Sequence, residues 1–271
     1  MVDKLTALRE ILAGLDGAIV AYSGGADSAF LADVANEVLG ARAEAVTAVS
    51  ASLAPNERSA AASLAAERGW AHREIVTNEI DRPEYVRNAS DRCYHCKSEL
   101  FDVLGAMFPS TPILVGTNLD DTGDHRPGQR AAGERGVRAP LLEAGLTKQE
   151  IRTLSRERGL STWDKPASAC LASRVAYGVE VTPERLDRIA RAEAFVRALG
   201  VRELRVRDHG DLARIEVPPE ELARLASPDV RARLAANLRE LGFVYVTLDL
   251  EGFRSGSMNA ILQIGRPDGR S

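Results

Sequence analysis

Several things are scarce in this chain, and each scarcity excludes something. Among its 271 residues there are three cysteines, Cys93, Cys96 and Cys170. An odd count with no export signal argues against a disulfide framework. Basic residues do not outnumber acidic ones: 35 Lys and Arg stand against 39 Asp and Glu, for a net charge of −4. No global positive field draws the chain to nucleic acid, so an RNA substrate would need a local basic patch. No apolar run reaches transmembrane length, and there is no internal repeat or low-complexity tract. The opening stretch MVDKLTALREILAGLDG has charges spread through it and no cleavage-like site. It reads as an amphipathic helix, not a signal peptide, and a cytoplasmic location is expected. At 45% hydrophobic and 27% charged, the remainder is ordinary globular composition, long enough for one large domain or two smaller ones.

What is present is an alternation. GAIVAY, AEAVTAVS, HREIVTN and TPILVGTN are short apolar segments with strand character. Between and after them come SAFLADVANEVLG, NERSAAASLAAERGW, CYHCKSELFDVLGAMF and LTKQEIRTLSRERGL, each long enough for a helix. This order predicts an α/β fold, a doubly wound parallel sheet covered on both faces, with ligands bound beyond the strand carboxy ends. The pattern changes near residue 179. TPERLDRIARAEAFVRALG is a helix with Thr182 as N-cap, Pro183 in its first turn and Gly200 as its stop. A hairpin turning at His209–Gly210–Asp211, two further helices and the strand FVYVTLDL follow. A domain over residues 1–178 and a smaller α+β domain with antiparallel strands over 179–271 are expected.

Three groups of residues carry chemistry. The first is Ser23-Gly24-Gly25-Ala26-Asp27-Ser28, between an apolar strand and a helix. It lacks the lysine of a Walker loop and the GxGxxG spacing. Glycines that expose backbone amides at a helix N-terminus make an anion site, most often for phosphate. The Ser23 and Ser28 hydroxyls can add to it, while Asp27 suits Mg²⁺ or capping of the turn. The other reading is a plain capped β–α turn. The second group is the cysteines. Cys93 and Cys96 form a CxxC pair that can point to one side of a helical turn, and Cys170 lies in a small-residue segment between Lys165 and Arg174. Cationic neighbours favour its thiolate. Zinc, a redox dithiol, an iron–sulfur cluster with one iron open, and unligated thiols all remain compatible with this set. In the third group, Arg205 and Arg207 alternate with Leu204 and Val206, which places both guanidinium groups on one strand face. Such a pair can grip a phosphate or simply meet solvent.

Taken in order, AYSGGADS, RCYHCKSELF, the long stretch VGTNLDDTGDHRPGQRAAGERGVRAPLLEAGLTKQEIR, KPASACLASRVAYG, LRVRDHGDLARIEV and VTLDLEGFRSGSMN resemble the LarE family. These are the pyridinium-3,5-biscarboxylic acid mononucleotide sulfurtransferases, within the PP-loop ATP pyrophosphatase superfamily. The likeness runs from about residue 17 to about residue 263. It implies adenylylation of a pyridinium carboxylate by ATP with Mg²⁺, replacement of AMP by sulfur, and a role in making the nickel-pincer nucleotide cofactor of lactate racemase. It implies that Ser23, Gly24, Gly25, Asp27 and Ser28 bind the nucleotide, with Asp27 on Mg²⁺ and Asp120 or Asp121 as further candidates. Lys97 and Lys148 are candidate phosphate contacts. Family members with three cysteines carry a [4Fe-4S] cluster, so Cys93, Cys96 and Cys170 are expected as its ligands. Cys170 is the sulfur donor if no cluster forms. An Arg-x-Arg at the place of Arg205 and Arg207 binds substrate phosphate, and Glu193 and Arg254 are expected in the same pocket. The implied partners are the pyridinium mononucleotide, sulfide or another sulfur donor, and further copies of the chain, with neither nucleic acid nor membrane.

Three readings compete: a tRNA thiolase, which the acidic balance and the lack of an RNA-binding module oppose; an ammonia-using synthetase of the NAD or GMP type; and a nucleotide sensor on the same fold. His72, His125 and His209 have no metal spacing and read as surface or turn residues. Trp70 and Trp163 read as packing residues near helix ends, with Trp163 placed to approach a ligand.

Overall fold

The computed structural model describes residues 2–123, 127–166, 169–254 and 258. In chain order the elements are α1 (Val2–Ala13), β1 (Ala18–Ala21), α2 (Ala26–Leu39), β2 (Ala43–Val49), α3 (Pro55–Arg68), β3 (His72–Val76), α4 (Pro83–Val86), α5 (Arg92–Met107), β4 (Ile113–Leu114), α6 (Pro127–Glu134), α7 (Pro140–Glu143) and α8 (Lys148–Glu157). There follow α9 (Pro183–Ala198), β5 (Arg205–Asp208), β6 (Leu212–Glu216), α10 (Pro219–Leu225), α11 (Pro228–Glu240) and β7 (Tyr245–Leu248). The chain forms two compact units: Met1–Glu79 with Cys93–Ser168, and Ile80–Arg92 with Ala169–Ser271. Among the described residues no helix is long and apolar enough to cross a membrane.

In the first unit the sheet order is β3-β2-β1-β4 and every pairing is parallel. Strand side chains alternate between faces, and here both faces are covered, as continuous apolar strands require. Val20 joins Leu8, Phe30 and Leu31 on one side, while Ile19, Val46 and Ile75 meet Phe101 and Leu104 on the other. This is the doubly wound arrangement expected from the alternation. Helix α8 starts on a capping box, in which Thr147 and Glu150 bond reciprocally. Lys4 also donates to Glu150, at 2.8 Å. That contact, with the Thr147 amide and hydroxyl, holds the Glu150 carboxyl down to about 2. A lowered carboxylate contributes stability that is present above its ordinary value near 4.5 and is lost as pH falls toward 2. Thermal melts across that window should therefore fall less steeply for Glu150→Gln than for the unaltered chain; superimposable slopes would refute the coupling.

The second unit holds the sheet β5-β6-β7. One face packs Val206, Ala213 and Ile215 against Ala192, Val196 and Leu238 of α9 and α11. The α9 start follows the sequence reading, since Thr182 accepts from the Arg185 amide and Pro183 opens the helix. Gly210, at φ +82°, turns the β5–β6 hairpin. The expectation of antiparallel strands holds for β5 with β6 but not for β7, which pairs parallel to β6. The cause is the intervening α10–α11 pair, a helical crossover that returns the chain to the same end of the sheet. The second unit begins ten residues before the pattern change at 179 and takes in Ile80–Arg92. Asn88, buried and at φ +56°, explains this grouping. Its Nδ2 donates to the carbonyls of Ala176 and Val179 at 2.8 Å each, and its Oδ1 accepts from Arg92 Nη1.

Candidate functional site

In the first unit the Ser-Gly-Gly turn leaves the carboxy end of β1 and enters α2 with Gly25 as N-cap. Gly24 sits at φ +71°, and a Cβ there would lie 2.9 Å from the Ala61 Cβ of α3, so no side chain fits. Gly116, just past β4, is needed for another reason. A Cβ on it would lie 2.8 Å from the Ser28 amide nitrogen and 2.9 Å from the Asp27 carbonyl carbon. The end of β4 thus presses directly on the first turn of α2. Ser28 is buried, and its hydroxyl closes the turn: it accepts from the Ser23 amide at 3.2 Å and donates to the Gly25 carbonyl at 3.2 Å. The Ser23 hydroxyl lies 3.1 Å from it, on an exposed residue. Of the two serines, Ser28 braces the loop and Ser23 faces outward.

Asp27 makes no cap. Its Oδ1 is buried without a hydrogen-bond partner among the described residues. Burial raises the Asp27 carboxyl above its usual range and Asp121 adds to the rise, while Lys148, a side-chain hydrogen bond with Asn118 and Arg152 oppose it. A buried carboxylate oxygen lacking a donor is costly unless a cation meets it. Two neighbouring acids with oxygen donors suit Mg²⁺, so the residues fit that ion. Asp120 is engaged differently, accepting from the Lys148 amide at 2.7 Å. Lys97 lies over the Phe101 ring, 5.9 Å from its centre.

Lys165 was noted in the sequence only as a charge preceding Cys170. In the structure its Nζ donates to the Gly24 carbonyl at 2.9 Å and pairs with Glu57 at 2.8 Å. No local signal marks a partner 141 positions away.

Cys93 and Cys96 lie on consecutive turns of α5, the first exposed and the second half-buried. Cys170 is exposed in the second unit, and all three are free thiols. Three thiolates equal in number the protein donors of a cluster with one open iron. Among the described residues no three His, Cys, Asp or Glu side chains are grouped so as to hold a metal ion. The segments KPASACLASR and GFRSGSMN include positions 167, 168, 255–257 and 259, which lie outside the described residues, as does His125.

The second unit gathers arginines. The β5–β6 register sets Arg205 opposite Glu216 and Arg207 opposite Arg214 on one sheet face, as the period of two predicts. Arg207 donates from Nε to Glu216 at 2.9 Å, and Arg214 donates to the same carboxylate at 3.0 Å. Glu193 bonds Arg174 at 3.0 Å and accepts from the Val206 amide at 3.2 Å. Arg174 also donates to the Cys170 carbonyl at 3.0 Å. Arg205 packs on the Phe253 ring at 5.1 Å. Burial, with Arg174 and Arg207 close by, pulls its guanidinium down to about 10. Cation crowding of this kind suits an anion. Arg254 is exposed and paired with Glu251.

Two histidines are less peripheral than their spacing suggested. His72 Nε2 lies 2.9 Å from Thr47 Oγ1. His209 carries a buried Nε2 with no partner among the described residues. Trp70 is buried edge-on to Tyr22, and Arg156 lies over the Trp163 ring at 5.0 Å.

Four parallel strands with helices on both faces, and a Ser-Gly-Gly turn from a strand end into a helix, define a PP-loop α/β protein. No protein-family model matches the chain. An uncharacterized protein of Synechocystis sp. is 47% identical over 263 residues, 96% of this chain and 98% of that protein. The pyridinium-3,5-bisthiocarboxylic acid mononucleotide synthase of Lactiplantibacillus plantarum is 36% identical over 266 residues, 97% of this chain and 96% of the synthase. An uncharacterized protein of Methanocaldococcus jannaschii is 29% identical over 173 residues, 63% of this chain and 67% of that protein. The chain belongs to the LarE family of enzymes, that of the pyridinium-3,5-bisthiocarboxylic acid mononucleotide synthase.

Proposed function

We propose that this enzyme converts the carboxylates of pyridinium-3,5-biscarboxylic acid mononucleotide into thiocarboxylates at the expense of ATP, as a step in nickel-pincer nucleotide synthesis in the cytoplasm. The observation that carries the reading is the full-length likeness to a synthase of that name, joined to a glycine turn at a helix N-terminus, a setting that favours anions. A carboxylate is inert to sulfur because oxide is a poor leaving group. In the first step a substrate carboxylate oxygen attacks the α-phosphorus of ATP. A C–O–P linkage forms, the bond between the α-phosphorus and the bridging oxygen breaks, and pyrophosphate leaves. The amides of Gly24 and Gly25, the Ser23 hydroxyl and the start of α2 are preorganised donors for that developing charge. Lys97 and Lys148 are the further phosphate contacts of this reading. Mg²⁺ held by Asp27 and Asp121 would supply Lewis-acid neutralisation of the phosphates.

In the second step a sulfur nucleophile attacks the acyl carbon, a C–S bond forms, and AMP departs with the C–O electron pair. A [4Fe-4S] cluster held by Cys93, Cys96 and Cys170 would supply iron-held sulfur for repeated transfer; without it Cys170 is the donor. Arg205 and Arg207 hold the substrate phosphate, Arg205 by forked hydrogen bonds and Arg207, whose Nε and Nη2 engage Glu216, by its charge, with Glu193 fixing Arg174 and Arg254 joining them. Exposed Val244, Tyr245 and Leu250 support self-association of the second unit.

The test supplies the pyridinium biscarboxylate mononucleotide, Mg-ATP and sulfide to anaerobically reconstituted protein. Mass spectrometry should find oxygen replaced by sulfur, with AMP and pyrophosphate formed in step. Cys96→Ala should bind less iron and make at most one sulfur transfer per chain. Equal iron content and equal turnover in the two proteins would remove the cluster from the scheme.

A further inference from the structure

Among the buried atoms near the glycine turn that lack hydrogen-bond partners among the described residues, which include Asn118 Nδ2, two have opposite needs. One is Asp27 Oδ1, an acceptor; the other is Arg152 Nε, a donor. Arg152 lies on α8 four residues after Lys148, so the two cations share a helix face. The charges of both act on Asp27. The Arg152 guanidinium is held in place from one end, since its Nη2 donates to the Lys165 carbonyl at 3.3 Å. The side chain of that same Lys165 grips the Gly24 carbonyl of the turn at 2.9 Å. One residue therefore anchors both the turn and the arginine, by separate groups.

A buried guanidinium N–H with no acceptor carries a desolvation cost, as does a buried carboxylate oxygen with no donor. A phosphate chelating a divalent cation relieves both at once, with the cation meeting the carboxylate and a phosphate oxygen meeting the guanidinium. We propose that Arg152 is a phosphate ligand of the nucleotide site, donating from Nε to a phosphate oxygen of Mg-ATP while Asp27 Oδ1 meets the cation. The proposal rests on the ATP-using reading above and adds to it a residue that no local sequence signal marks.

Equilibrium titration of Mg-ATP into the full chain tests it without any need for turnover. Arg152→Met should weaken binding by ~10- to 100-fold, the worth of a hydrogen bond to a charged group. Arg152→Lys should weaken it by a smaller factor, because a lysine retains the charge but not the planar fork. Binding of adenosine, which has no phosphate, should be the same in all three proteins. Wild-type affinity for Mg-ATP in either variant would overturn the proposal and leave the nucleotide reading standing. If Arg152→Met does not fold, Arg152→Lys alone decides by the same criterion. A parallel loss of adenosine binding would assign Arg152 a structural role and overturn the proposal. Failure of the unaltered chain to bind Mg-ATP would overturn both.

Discussion

Asp27→Asn should sharply slow the Mg²⁺-dependent pyrophosphate release proposed above while leaving the chain at least as stable as before. The two halves of this expectation come from one atom. Oδ1 is buried with no hydrogen-bond donor among the described residues, and burial raises the carboxyl. An acid raised in the folded state costs stability when ionised. That cost is present at neutral pH and is relieved as pH falls through the raised value. Asparagine keeps the shape and removes the charge, so the melting temperature at pH 7 should hold or rise in the absence of metal. The loss in rate should be large, roughly 10²–10³-fold, because metal neutralisation of phosphate charge is worth several kcal/mol. Added Mg²⁺ should raise the melting temperature of the unaltered chain and not that of the variant. A variant that melts lower and still responds to Mg²⁺ would show that Asp27 is a structural residue.

Glu216→Ala should strongly destabilise the second unit. Glu216 is fully buried and accepts from Arg207 and Arg214. Removing it takes from Arg207, itself 6% exposed, the carboxylate that its guanidinium is paired with at 2.7 Å. Breaking a buried pair by deleting one partner costs about 3–5 kcal/mol, because the survivor stays buried and charged. Urea unfolding should register that loss, and on the proposed reading of Arg207 affinity for the pyridinium mononucleotide should fall with it. A change below about 1 kcal/mol, the range of surface pairs, would mean that the carboxylate does not anchor this face.

Much of the frame was legible from short-range pattern. Continuous apolar runs marked β1 to β3, and the glycine turn announced itself by its place between a strand and a helix. Period two alone put Arg205 and Arg207 on one face. What escaped was whatever depends on chain meeting chain. The ion pairs of Lys165 with Glu57, Arg174 with Glu193 and Arg207 with Glu216 have no local signature, since any surface arginine looks the same in one dimension. The parallel return of β7 depends on two helices crossing over, which strand propensity does not encode. The short helices α4, α6 and α7 carry too few turns for a periodic signal. The grouping of Ile80–Arg92 with the second unit hangs largely on the amide of one asparagine.

One further carboxylate ties the first unit together at a distance from its chemistry. Asp33, in the body of α2, accepts from Arg68 at the end of α3 at 2.8 Å and from Arg158 at the end of α8 at 2.6 Å. The opposite ends of those helices carry Glu57, which holds Lys165, and Lys148, whose charge reaches Asp27. The three helices therefore stand like a tripod whose feet are bolted to a single point while their tips surround the glycine turn. Slackening that bolt would spread the tips, so damage at Asp33 should be felt as looseness at the opposite end of the frame.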